Sequence, residues 1–361
     1  MNEHEILMKK ALKLAEKGRG YTSPNPVVGA VIVKKGKIIS EGYHDTFGKP
    51  HAEVIALQKA GEEAFGATLY VNLEPCCFSG KTPPCTQAII NAGIKKVVVG
   101  TIDPNPRVNG KGIKILKENG IEVVVGVLEK ESKEINKGFF KYITKKLPYI
   151  TLKFAMTLDG FIADVSGNSK WISSDKSRIL VKTKRKSYDA IMVGIGTVLK
   201  DNPELLPAEK DGFIPYRVII DDLLNIPITA RLLNDNFRKR TIIVTKNVAK
   251  NKKINELKGR GVKIVISKEN DFGWIDLNDA LKKLADFGIT SIYCEGGSQL
   301  AGSLINENLV DEIEIFIAPK IIGKGINFVS GFCKSIDEYI KLKFTNVEKI
   351  EEDLHIIGKF N

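Results

Sequence analysis

No uninterrupted apolar run in the 361 residues approaches the roughly 20 that a membrane-spanning helix needs, so no membrane partner is expected. The first residues, MNEHEILMKKALKLAEKG, mix acids with bases in an amphipathic helical pattern and do not read as a secretory signal. Internal repeats and low-complexity segments are missing as well. So is any long basic run interleaved with aromatics. The net charge of +12 is spread through both halves, in KKGK (34–37), KKL (145–147) and KNKK (250–253). Charge distributed in this way suits a generally basic surface that attracts small phosphorylated substrates, rather than a nucleic-acid face. A cytoplasmic protein without a nucleic-acid partner is expected.

Cysteine is scarce, with five in the chain, yet three of them fall within LEPCCFSGKTPPC (73–85). Stable disulfides are disfavoured in a cytoplasmic protein, which leaves a metal or a catalytic thiol as the reason for the cluster. Upstream, His51-Ala52-Glu53 opens a helical pattern, and Cys85 follows Pro83-Pro84 at an expected helix start. Helix N-termini stabilise thiolates, the form that binds metal. His51, Cys76 and Cys85 would leave the fourth position of a tetrahedral Zn²⁺ open for water, as a catalytic site requires. Glu53 need not be a ligand and can carry the proton of that water. Zinc deaminases combine H-x-E with P-C-x-x-C. Here eight residues separate Cys76 from Cys85, so an inserted loop is expected. Neither half of the pattern is specific alone; their order and placement together carry the reading. Cys77 is read as a neighbour and not a ligand, and Cys294 and Cys333 as small apolar residues.

A chain of this length exceeds one usual hydrophobic core, so two domains are expected, 1–147 and 148–361, divided ahead of Pro148. In the first, helices over 3–17, 51–61, 85–93 and 112–120 alternate with strands over 27–33, 37–44, 67–74, 96–101 and 121–127. That rhythm predicts a layered α/β domain with a partly parallel sheet. A lysine-rich stretch, 129–147, reads as one further helix. The second half offers strands at 149–160, 189–194, 216–221, 241–245, 262–267 and 291–297, then two late antiparallel ones at 312–323 and 341–350. GIGTVL (194–199) has Leu199 where a dinucleotide fingerprint needs its third glycine, so a Rossmann site is a poor reading.

Asn25-Pro26-Val27-Val28-Gly29, Gly42-Tyr43-His44, PHAEVIAL (50–57), LEPC with GKTPPC, and DPNPRVNGKG (103–112) resemble the deaminase domain of the bifunctional riboflavin-biosynthesis deaminase–reductases. LKFAMTLDG (152–160), SKWIS (169–173), DAIMVGIGTVLKDNP (189–203) and EGG (295–297) extend the resemblance over nearly the whole chain. It implies a cytidine-deaminase-like three-layer α/β domain followed by a dihydrofolate-reductase-like α/β domain. It also implies zinc-dependent deamination of 2,5-diamino-6-ribosylamino-4(3H)-pyrimidinone 5′-phosphate, then reduction of its ribosyl group by NADPH. By the same resemblance Asn25 and His44 hold the first substrate and Lys81 faces its phosphate. Ala155, Trp171, Thr197, Asp201, Gly296 and Gly297 match the cofactor side of the second pocket. Ser169, Arg185 and Glu295 match its substrate side, with Lys153 a charged neighbour. Two departures stand out: Phe78, where the family commonly has histidine, and the missing Thr-x-Arg after Pro203. Arg185 and Lys210 are expected to supply the cations lost there. A homo-oligomer is expected. The competing readings are a nucleic-acid-editing deaminase and an inactive two-domain sensor.

Overall fold

A computed structural model describes residues 2–80, 83–247, 251–331 and 333–360. The chain divides into two compact units, Met1–Lys146 and Leu147–Asn361.

Asn2 starts the first helix, α1 (Glu3–Ala15). Its side chain accepts from the Glu5 amide at 2.9 Å, and the Glu5 carboxylate accepts from the Asn2 amide at 3.0 Å. This reciprocal cap satisfies two amides that a helix start leaves without partners. Strands β1 (Gly29–Lys34), β2 (Lys37–Tyr43), β3 (Thr68–Leu73), β4 (Lys96–Thr101) and β5 (Glu122–Val125) form one sheet in the order β2-β1-β3-β4-β5. β1 is antiparallel to β2 and β3, whereas β3, β4 and β5 run parallel. The period-2 alternation of side chains sorts the strands between two cores. Val31, Val33, Tyr70 and Val98 meet Leu7, Met8, Ala11 and Leu14 of α1 on one face. Ala30, Ile32, Leu69, Val71, Val97 and Val99 meet α2 (Ala52–Ala60), α3 (Cys85–Asn91) and α4 (Lys111–Glu118) on the other. Three layers result.

The start of α2 is pressed against β2. A Cβ at Gly42 would lie 2.4 Å from the Ala52 carbonyl oxygen and 2.7 Å from the Ala56 amide nitrogen. Both atoms are backbone and cannot step aside as a side-chain tip would, so glycine is required for the approach. Gly42→Ala is expected to lower the urea midpoint of the first unit, by an overpacking cost of about 1–3 kcal/mol. It should also weaken metal retention, because His51 caps the helix that would move.

The lysine-rich stretch expected as one helix is two, α5 (Glu129–Ile135) and α6 (Lys137–Lys145). Asn136 divides them. Its side chain accepts from the Val27 amide at 2.8 Å and donates to the Val27 carbonyl at 2.9 Å, a tertiary pairing that the helical pattern alone does not reveal.

In the second unit nine strands form one sheet. They are β6 (Tyr149–Thr157), β8 (Ala190–Gly194), β9 (Tyr216–Ile220), β10 (Thr241–Lys246), β11 (Lys263–Ser267), β12 (Ser291–Cys294), β13 (Glu312–Ala318), β15 (Leu342–Ile350) and β16 (Asp353–Phe360). Their order is β11-β10-β9-β8-β12-β6-β13-β16-β15. Two short strands, β7 (Phe161–Asp164) and β14 (Gly325–Asn327), pair separately. Helices α7 (Asp175–Lys184), α8 (Ile195–Asp201), α9 (Arg231–Asn234) and α10 (Asn251–Gly259) lie on one face. Helices α11 (Leu277–Asp286) and α12 (Ser298–Asn306) cover the other. The segment at 312–323 was expected to be antiparallel. Instead β13 runs parallel to β6, because α12 carries the chain back across the sheet, and it is antiparallel only to β16.

Candidate active sites

In the first unit the ends of three segments converge. His51 stands just ahead of α2, Cys76 follows the end of β3, and Cys85 is the first residue of α3, after Pro84. His51 Nδ1 is 3.2 Å from Cys85 Sγ and 3.5 Å from Cys76 Sγ, and the Cys85 amide donates to Cys76 Sγ at 3.4 Å. The three donor atoms lie within 4.8 Å of one another, a spacing that one small cation can bridge. Hydrogen bonding from Cys85, with help from His51, overcomes burial and pulls the Cys76 thiol down to about 4. The hydrogen bond with Cys76, together with burial, pushes the Cys85 thiol up. The Cys76 contact raises the pKa of His51.

Glu53 is two residues beyond His51, in the first turn of α2; it is 3 % exposed, and burial raises its pKa. Its Oε2 is buried with no hydrogen-bond partner among the described residues. An orphaned carboxylate oxygen beside a His-Cys-Cys cluster fits a site that takes a metal and the water to be activated. Cys77 is turned away, its thiol 3.6 Å from the Arg107 carbonyl oxygen.

The cavity beside this cluster measures about 200 Å³. Asn25 and His44 line it and lie 3.4 Å apart, Nδ2 to Nε2. Burial lowers the pKa of His44, whose other ring nitrogen is 3.1 Å from the Pro50 carbonyl oxygen. Phe78 also lines the cavity, with the Arg107 guanidinium 3.7 Å above its ring. Lys81 lies outside the described residues. The sequence reading passed over two acids. Glu74 accepts from the amides of Asp103 at 3.2 Å, Gly110 at 2.9 Å and Ile113 at 3.1 Å, fixing the loop that forms one cavity wall. Asp103, on that loop, lines the cavity and is pushed up to about 7 by burial. Its only signal in the sequence was a place within DPNPRVNGKG.

The second unit holds a larger cavity, about 1350 Å³, at the carboxyl ends of the parallel strands, where open α/β sheets bind ligands. Ala155 reaches it from β6, Thr197 and Asp201 from α8, and Gly296 with Gly297 from the turn before α12. Ser169 and Trp171 border it from the segment after β7; Trp171 is 63 % exposed and therefore not a core residue. Arg185 and Glu295 form a forked pair in its wall, Nε to Oε1 at 2.7 Å and Nη2 to Oε2 at 2.8 Å, each side chain 12 % exposed. Burial works to raise the pKa of Glu295, but the charge and hydrogen bonds of Arg185 outweigh it and keep the carboxyl ionised. The remaining arginine edge donates to the Leu206 carbonyl at 2.6 Å. Lys210 also lines the cavity, with its ammonium 3.1 Å from Glu204. Both cations expected to replace the missing arginine therefore already have acidic neighbours.

Comparison with known proteins agrees with this two-part geometry. Residues 1–101 match the cytidine and deoxycytidylate deaminase zinc-binding region, and residues 148–356 match the RibD C-terminal domain. The riboflavin biosynthesis protein RibD of Aquifex aeolicus is 49% identical over 356 residues, 98% of this chain and 97% of that protein. Its counterpart in Escherichia coli is 38% identical over 374 residues, 99% of this chain and 100% of that one. Among solved structures, a diaminohydroxyphosphoribosylaminopyrimidine deaminase/5-amino-6-(5-phosphoribosylamino)uracil reductase from Thermotoga maritima superposes with a TM-score of 0.87 at 40% identity, covering 99% of each chain. The chain belongs to the RibD family, bifunctional enzymes of riboflavin biosynthesis that carry a deaminase and a reductase on one polypeptide.

Proposed function

We propose that residues 1–147 deaminate 2,5-diamino-6-ribosylamino-4(3H)-pyrimidinone 5′-phosphate and that residues 148–361 then reduce the ribosyl group of the product with NADPH. The convergence of His51, Cys76 and Cys85 beside the unpartnered oxygen of Glu53 carries the first half of this reading.

In this reading His51 and the two cysteines hold zinc, which supplies a Lewis acid that makes water nucleophilic near neutral pH. Glu53 takes a proton from the attacking water and delivers it to the amine nitrogen. A carbon–oxygen bond replaces the carbon–nitrogen bond, and ammonia leaves. Burial suits Glu53 to the first task, since a carboxylate with a raised pKa is the stronger base, and it brings the proton affinity of Glu53 nearer to those of the groups between which the proton passes. Asn25 and His44 orient the ring, and Lys81 meets the phosphate.

In the second cavity NADPH supplies hydride. Ala155, Trp171, Thr197, Asp201, Gly296 and Gly297 lie on the cofactor side. Ser169, Arg185 and Glu295 lie on the substrate side, where the forked pair fixes the direction of the Glu295 carboxylate. No helix among the described residues is long and apolar enough to cross a membrane. Supplying the diaminopyrimidinone phosphate should release ammonia with or without NADPH, and reduced-nicotinamide absorbance should fall only after ammonia appears. No ammonia from zinc-loaded protein would refute the reading.

A further inference from the structure

Glu314, on β13, is buried in the second unit with its side chain 2 % exposed, yet it does not line the cavity. Charged and polar groups meet it from four other strands and helices. Lys184, at the end of α7, pairs with Oε1. The Tyr293 hydroxyl, on β12, donates to Oε2 at 2.8 Å, and Tyr188 stacks on that ring. His355 Nε2, on β16, is 2.6 Å from Oε1, and its Nδ1 is 2.8 Å from Glu348 of β15, whose side chain is 52 % exposed. The fourth neighbour is Lys153, the register partner of Glu314 on the adjoining parallel strand β6.

Lys153 is the member of this group that reaches the cavity. Its ammonium lies 5.7 Å from the centre of the Phe316 ring, which in turn stacks on His355. Burial lowers the pKa of Lys153, Glu295 opposes this, Arg185 adds to it, and Glu314 opposes it again. Glu295, forked to Arg185, and Glu314, at the register position beside Lys153, are the two carboxylates that oppose the burial of the lysine. An ammonium enclosed by protein keeps its proton only with such a partner. Lys184 and His355 both bond Oε1 of Glu314, so the charge that Glu314 presents to Lys153 is already partly met.

We propose that Glu314 is a positioning residue for the reductase step: from the neighbouring strand its buried carboxylate steadies the Lys153 ammonium in the cavity wall, and Lys184, bonded to the same carboxylate, tempers that effect. The proposal rests on the reading that this cavity binds the phosphorylated deaminase product.

The sign is fixed by charge. Removing the Glu314 carboxylate makes Lys153 give up its proton at lower pH; removing the Lys184 cation frees more of the carboxylate's charge and does the reverse. The full-length, zinc-loaded chain with ¹³C-labelled lysine side chains would report this by NMR without substrate, the Lys153 resonance being assigned by its loss in Lys153→Met. Its titration midpoint is expected to fall by about one pH unit in Glu314→Gln and to rise in Lys184→Met. The alkaline limb of kcat/KM for NADPH oxidation with 5-amino-6-(5-phosphoribosylamino)uracil should move in the same two directions. A merely structural role would lower the rate at every pH and leave both midpoints in place, and that result would overturn the proposal. Should Glu314→Gln fail to fold, Lys184→Met decides alone, since Lys184 is partly exposed at a helix end. Wild-type protein that oxidises no NADPH would count against the substrate reading, while the NMR midpoints judge the Glu314 coupling independently.

Discussion

Glu53→Gln is expected to cut ammonia release by roughly a hundredfold or more, the usual loss when a general acid–base is removed. Glutamine has nearly the shape of glutamate but cannot carry the proton. The side chain is enclosed, and one oxygen has no hydrogen-bond partner among the described residues. His51, Cys76 and Cys85 are untouched by the change, and zinc content measured by atomic emission should match the parent. The reductase step, assayed with its own substrate, should be unaffected. Normal deamination by this variant would end the proposed role of Glu53.

Cys76→Ala and Cys85→Ala are each expected to abolish both zinc retention and deamination, whereas Cys77→Ala should keep both. Purified parent protein should carry about one zinc per chain, because three protein ligands and water complete one tetrahedral site. Either alanine leaves two ligands, too few to hold the ion through dialysis. The contrast with Cys77 is sharp because adjacent residues are compared, one donating a sulfur to the cluster and the other facing the Arg107 carbonyl. Equal zinc in all three variants would sink the ligand assignment.

What could be read in the sequence follows from how local each feature is. His51, Cys76 and Cys85 occupy the ends of regular elements, so helix and strand periodicity placed them before any contact was known. Glu74 was opaque because its role is to accept amides that lie 29 to 39 residues away. Asn136 looked like an ordinary helix residue until its pairing with Val27, 109 residues distant, appeared. The buried cluster around Glu314 draws on residues 130 positions upstream and 41 downstream, and no spacing rule links them. β16 escaped notice because Gly358 and Lys359 interrupt its apolar character and His355 sits at an inward position. Arg217 is fully buried near the start of β9, where its pairing with Asp235 is invisible to a hydropathy pattern.

The three side chains proposed to hold the metal come from separate stretches, Cys76 and Cys85 lying 25 and 34 residues beyond His51, each at the mouth of a different element. An ion that joins them is a crosslink as well as a reagent. By mass action, each tenfold rise in free zinc above the dissociation constant adds about 1.4 kcal/mol to the stability of the folded form. The melting temperature of the deaminase unit should therefore climb with the logarithm of zinc activity, while that of the reductase unit stays level. In a cell short of zinc, the first step of the pair would be lost to unfolding and proteolysis as well as to missing chemistry, and the supply of riboflavin precursor would then follow the metal economy of the cell.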